Sequence, residues 1–125
     1  MNINFPYDAI PLTDGVWKDD EITASTPSCD IWYSFPVVEG TTYRIWTNDL
    51  FGDLTKTLYA LTSAWYETGD KIFRTINNFD SPGTFTATSS GTVYVRVLPA
   101  NLGDYDYGTF AVVYNTEDTR PAVTR

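Results

Sequence analysis

Short runs in which every second residue is apolar alternate along this chain with clusters of Gly, Pro, Asp and Asn. From Ile31 to Val38, Tyr33, Phe35 and Val37 fall on one side of an extended backbone and Trp32, Ser34 and Pro36 on the other. From Thr42 to Thr47, Tyr43 and Ile45 share one side, with Arg44 and Trp46 opposite, and Asn48 continues that opposite side. From Thr92 to Leu98, Val93, Val95 and Val97 oppose Tyr94 and Arg96; from Thr109 to Tyr114, Phe110, Val112 and Tyr114 oppose Thr109, Ala111 and Val113. Shorter runs at Gly15 to Trp17, Lys56 to Leu61, Lys71 to Ile76 and Thr84 to Thr88 are bounded by the same turn residues. A period of two, repeated in about eight short segments, predicts an all-β chain. With one apolar set per strand, the architecture expected is a jelly-roll-like β-sandwich of mostly antiparallel strands in two sheets. The stretch "LTKTLYALTSAWYE" comes nearest to a helical period, and Thr55, Thr57, Tyr59 and Thr62 lower its helix preference.

The core predicted from this alternation is Tyr33, Phe35, Val37, Tyr43, Ile45, Leu58, Ala60, Val93, Val95, Val97, Phe110 and Val112. Val38-Glu39-Gly40-Thr41 and Ser89-Ser90-Gly91 read as hairpin links, with Gly40 free to take positive φ. Pro36 has no backbone donor, so its strand is expected to be an edge or bulged at that point. Residues 1–115 are expected to form one domain, and 116–125, which follow Asn115 in "NTEDTRPAVTR", a polar tail or linker.

Composition narrows the class. The chain has 125 residues, 42% hydrophobic and 19% charged, which is globular, and its aromatic share of 16% is high. Eight Lys and Arg against sixteen Asp and Glu give a formal net charge of −8. So few scattered cations argue against nucleic acid, whose affinity rests on neutralised phosphates, and against an anionic membrane surface. No apolar run reaches the roughly 20 residues of a membrane span, so no membrane insertion is expected. The opening "MNINFPYDAIP" lacks a basic segment followed by an apolar core, and no signal peptide is expected in it. The single cysteine, Cys29, excludes an intradomain disulfide and is expected to be a small buried hydrophobe, with a disulfide to another chain the lesser alternative.

Several of these segments together resemble a known family. "DIWYSFPVVEGTTYRI" is similar to the opening of the bacterial pre-peptidase C-terminal domain, which typically reads Asp-x-Tyr-x-Phe, a Gly-Thr hairpin, then Tyr and a hydrophobe. "SSGTVYVRVLP" followed by "YGTFAVVY" resembles its closing strand pair, and "LTKTLYAL" stands where the family has a Leu-Tyr-Leu strand. "GVWKDDEI" resembles the Trp before an acidic turn in related tandem domains of bacterial surface lipoproteins. The resemblance spans roughly Leu12 to Tyr114. It implies a non-catalytic jelly-roll module of a secreted or surface bacterial protein, placed beside enzymes, with relatives that bind collagen or polysaccharide, some with calcium. The acidic segment before the Leu-Tyr-Leu strand is reduced here to Asp49 and Asp53.

The chemistry written in the residues points the same way. With no histidine, Ser-His-Asp and Cys-His catalysis and the usual zinc ligand sets are excluded. No dinucleotide or phosphate-loop motif is present. A carboxylate pair for glycoside hydrolysis remains open as a remote alternative among the sixteen acids. Asp14, Asp19, Asp20 and Glu21 could supply several of the roughly six to eight oxygens that calcium takes, with Asp104 or Asp106 from another loop; the plain alternative is a solvated turn. Trp32, Arg44, Trp46, Tyr94 and Arg96 form the outward set, an aromatic platform with polar neighbours of the kind that binds sugars; the plain alternative is cover by the protein's own chain. Tyr105 and Tyr107, in the loop "NLGDYDYG", offer large contact area at low entropy cost, or fold back on the sandwich.

The function expected is a non-catalytic extracellular module for adhesion, substrate targeting or spacing. Its partner would be an extracellular polysaccharide or protein, or neighbouring domains of the same chain. A carbohydrate-binding module using the Trp/Tyr face is the alternative. No cofactor is required by this reading, with calcium the one candidate.

Overall fold

The computed structural model describes residues 8–23, 30–48, 60–76, 82–99 and 108–122. Among these are nine strands: β1 (Ile10–Pro11), β2 (Lys18–Ile22), β3 (Ile31–Val37), β4 (Thr42–Asn48), β5 (Ala60–Tyr66), β6 (Lys71–Ile76), β7 (Gly83–Thr86), β8 (Gly91–Pro99) and β9 (Gly108–Asn115). The first sheet runs β1-β3-β8-β5-β6 and the second β2-β9-β4-β7. Every pairing is antiparallel except that of β1 with β3. This is the expected all-β sandwich.

The core lies where the alternation places it. Tyr33, Phe35, Val37, Val93, Val95 and Val97 of the first sheet meet Tyr43, Ile45, Phe110, Val112 and Tyr114 of the second. Phe35 stacks on Tyr114 at 4.0 Å between ring centroids and contacts Tyr43 and Phe85. Each large side chain buried this way stabilises the fold by about 1.5–3 kcal/mol. Leu58 lies outside the described residues, and Ala60 opens β5. Leu12, Ile22, Ala64, Phe85 and Ala87 join the core without having been predicted.

One strand sits elsewhere than the pattern suggests. The run at Gly15 to Trp17 is a turn and its exit, with Gly15 N–H donating to the Tyr114 carbonyl at 2.9 Å. The strand follows at "KDDEI", a poor strand sequence by propensity. It holds because all five residues pair with β9 and Ile22 is completely buried. Its charges also suit its place at a sheet edge, where they oppose pairing with other chains. Of the expected strand from Lys56 to Leu61, Ala60 and Leu61 belong to β5, which runs on to Tyr66, and residues 56–59 lie outside the described residues.

The two expected hairpins are the main correction. β3 and β4 belong to different sheets, as do β7 and β8, so both Gly-containing links are corners that carry the chain across the sandwich. They are pinned to each other: Gly40 N–H donates to the Ala87 carbonyl at 2.8 Å, Ala87 N–H to the Thr41 carbonyl at 3.0 Å, and Glu39 N–H to Ser90 Oγ at 2.9 Å. Gly40, at φ 85°, supplies the left-handed backbone the corner requires. Pro36 meets expectation. It pairs with Thr92 on one side, and on the other β1 ends opposite Ser34, leaving an edge where no donor is needed.

Candidate functional site

Register across the first sheet brings together residues that are far apart in sequence. Trp32, Arg96, Ser63 and Arg74 form one row across β3, β8, β5 and β6. Ser34, Tyr94, Trp65 and Lys71 form the next. Neighbouring rows of opposite parity, such as Tyr33-Val95-Ala64-Phe73, face the core, so these two rows share the outer face.

Trp32 and Trp65 belong to strands on either side of β8, about 10 Å apart by sheet spacing. Their indoles lean over β8 and meet at 5.2 Å between centroids, tilted by 34°. Both are half-buried, as is Tyr94. Arg96 carries its guanidinium 5.9 Å from the Trp32 ring, and its Nε donates to Asp30. Lys71 Nζ lies 5.6 Å from the Trp65 ring. Lys71 reaches this face because of a bulge: Ala64 pairs with Phe73, but Trp65 pairs with Lys71, so Ile72 is an extra residue. Ile72 and Phe73 then both pack toward the core, and Lys71 is re-aimed outward. The Tyr66-to-Asp70 turn closes this hairpin, with Tyr66 N–H donating to the Asp70 carbonyl at 2.9 Å.

The outer face of the second sheet is different, and it corrects the predicted platform. Arg44 and Trp46 lie on β4, so they are on the opposite side of the sandwich from Trp32, Tyr94 and Arg96. Trp46 is only 6% exposed, and its indole N–H donates to Asn115 Oδ1 at 2.8 Å. Asn115 Nδ2 in turn donates to the Thr119 carbonyl at 2.9 Å. Trp17 Nε1 donates to the Pro121 carbonyl at 3.0 Å, and Arg44 pairs with Asp118 at 3.4 Å. Residues 116–122, expected as a tail or linker, therefore strap this face, and Trp46 is covered by its own chain. Trp65, Lys71, Arg74 and Asp30 were not in the predicted set. The Ser63/Trp65 parity in "ALTSAWY" carries the signal for Trp65, once the strand is placed there.

The acids near the N-terminus divide. Asp19 and Glu21 point outward from β2 and are exposed, while Asp20 points inward and accepts from Tyr33 Oη at 2.9 Å. Asp14 lies in the preceding turn. Among the described residues no group of three or more His, Cys, Asp or Glu side chains gathers as a metal would need. Tyr105, Tyr107, Asp104, Asp106, Asp49, Asp53 and Cys29 lie outside the described residues. Burial, and then the charge of Asp20, push the Tyr33 phenol far above its ordinary value. Burial also raises Tyr114, with the charge of Asp14 next.

On this face Ser63, Leu61 and Leu98 are buried, and what is left partly open around Trp32 and Trp65 is flat apolar area, cationic donors and the hydroxyl-bearing Ser34 and Tyr94. These are the means to hold a ligand by stacking and hydrogen bonds.

No family model matches the chain. No curated protein matches it either. Among solved structures it is similar to the pre-peptidase C-terminal domain of a collagenase from Bacillus anthracis. The two are 16% identical, and the superposition has a TM-score of 0.66 over 90% of this chain and 100% of that domain. The chain has a pre-peptidase C-terminal domain-like fold, in keeping with the resemblance carried by its "DIWYSF" and "YGTFAVVY" segments.

Proposed function

We propose that this protein is a non-catalytic accessory module of a secreted or surface bacterial protein, and that it holds an extended polymer on the outer face of its first sheet. The observation that carries the reading is the tilted Trp32–Trp65 pair, 5.2 Å apart and half-buried, flanked by Tyr94, Arg96 and Lys71. Large rings left partly in water on a rigid sheet cost solvation unless something covers them. A sheet face also holds them pre-organised, so little entropy is lost on binding. The absence of histidine from the sequence and the fold shared with a collagenase's C-terminal domain support an accessory role over a catalytic one.

The test is retention of the purified domain on a panel of insoluble polymers: collagen, cellulose, chitin, xylan and cross-linked pectate. Retention on at least one member is expected, lost in Trp32→Ala and Trp65→Ala variants that melt within a few degrees of the parent. Retention untouched by both substitutions, or hydrolysis of a polymer abolished by replacing one carboxylate, overturns the reading.

A further inference from the structure

We propose that the polymer held on this face is an acidic polysaccharide, one whose sugar rings carry carboxylates. This rests on the reading of the first sheet's outer face as a binding surface. The chain has only eight Lys and Arg against sixteen acids, yet Lys71, Arg74 and Arg96 stand within two adjacent cross-strand rows. Arg74 and Arg96 flank Ser63 in one row, roughly 10 Å apart at sheet spacing. Lys71 stands beside Trp65 in the other. Among the described residues Arg96 is paired with Asp30, whereas neither Lys71 nor Arg74 takes part in an ion pair. The nearby acids of the β5–β6 turn are turned to backbone and hydroxyl partners: Glu67 Oε1 accepts from Thr92 N–H and Asp70 Oδ2 from Thr68 Oγ1. Arg96, with its side chain 34% exposed, keeps further N–H donors beyond the Nε given to Asp30.

The Ile72 bulge strengthens the argument. Unbroken alternation from Phe73 through Ile72 would turn Lys71 inward; the bulge turns it outward, and a third cation joins the indoles. The face therefore couples flat aromatic area to cations spaced about a strand or two apart. A uronate chain matches both, since each ring has an apolar face to stack and one carboxylate to pair. A nucleic acid, with a charge about every 1.7 Å, presents far more negative charge than three cations on a chain of net −8 can accept. An acidic peptide would satisfy the cations and leave the indole pair with little to stack on.

Affinity electrophoresis through gels containing polygalacturonate, its fully methyl-esterified form or poly-glutamate separates the possibilities. Polygalacturonate should retard the protein, and esterification, which removes charge and keeps the sugar, should weaken retention about tenfold or more. Raising salt from about 50 to about 300 mM should weaken it as well. The double variant Lys71→Ala/Arg74→Ala should lose about tenfold while its melting temperature stays put. Equal retention by the charged and esterified polymers overturns this inference and leaves a neutral-polymer module standing. Stronger retention by poly-glutamate replaces the polysaccharide with an acidic peptide. No retention by polygalacturonate while a neutral member of the polymer panel binds through Trp32 and Trp65 overturns the inference alone; no binding anywhere on the panel overturns the proposed function with it.

Discussion

The two outer faces of the sandwich carry the same local motif, a strand on which a tryptophan alternates with apolar core residues and lies near an arginine, and they come to opposite ends. On the second sheet, Trp46 is sealed beneath the Asn115–Thr119 contact and Arg44 is tied to Asp118. On the first sheet, Trp32 remains half-buried, leans on Trp65 and shares its surroundings with Lys71, Arg74 and Arg96. Around Trp46 a remote segment, residues 116–122, crosses the face; on the first sheet Leu61, Ser63 and Leu98 are buried as well, but Trp32, Trp65 and Tyr94 stay half-buried. An outward tryptophan on a sandwich strand is thus core or platform according to what the rest of the chain lays over it.

The contrast is most sharply broken by truncating the two indoles in parallel. Trp46→Ala should destabilise the fold by about 3–5 kcal/mol, because it empties a closed site and strands the Asn115 side chain. The readout is the midpoint of urea unfolding. A loss below about 1 kcal/mol would mean the strap fills in readily and the two faces are alike.

Removing residues 117–125 should cost about 1–3 kcal/mol, since it leaves Asn115 and the Trp17 indole N–H without the Thr119 and Pro121 carbonyls. In NMR spectra the indole N–H signals of Trp17 and Trp46 should move and those of Trp32 and Trp65 should not. Movement of all four would show the faces to be coupled through the core.

The layer between the faces gives a pH-dependent measure. Tyr33 has its folded pKa raised, by burial first and Asp20 second, so the native state keeps the phenol protonated. Stability is therefore full below the ordinary phenol value of about 10 and falls above it, as the unfolded chain ionises and the folded one does not. The expected slope from this group is about 1.4 kcal/mol per pH unit. In Tyr33→Phe that part of the alkaline decline should vanish when urea midpoints at about pH 8 and about pH 11 are compared. An unchanged decline assigns the effect to other groups.

The smallest effect belongs to the first sheet's face. Trp32→Ala and Trp65→Ala should each cost only about 1 kcal/mol, the worth of a partly exposed aromatic pair. Losses as large as that of Trp46→Ala would make these indoles structural and remove the contrast.

Much of the fold was legible because alternation is a local property. The inward sets of β3, β4, β8 and β9 follow from side-chain parity alone. Parity does not say which sheet a strand joins. Glu39-Gly40 has the composition of a hairpin and serves as a corner, and that one difference moves Arg44 and Trp46 to the far side of the molecule from Trp32. β2 was hidden because "KDDEI" has no apolar alternation; pairing with β9 and the Tyr33–Asp20 hydrogen bond make up for it. β1, two residues long and parallel, falls below any periodic signal. Of the candidate platform, Trp32, Tyr94 and Arg96 share a face as expected, whereas Lys71 depended on a bulge that no periodicity announces.

The strap on the second sheet also bears on how the molecule responds to force. A pull applied at residue 122 meets the Pro121, Thr119 and Asp118 contacts one after another, and each can part alone. β9 comes next, hydrogen-bonded to β2 and β4 along its length, and a pull along its axis loads those bonds together in shear. The domain would therefore lengthen by a few residues under light tension, uncovering Trp46 while the sandwich and its first-sheet face stay intact. Under such a load it would act as a short extensible tether in series with a rigid block.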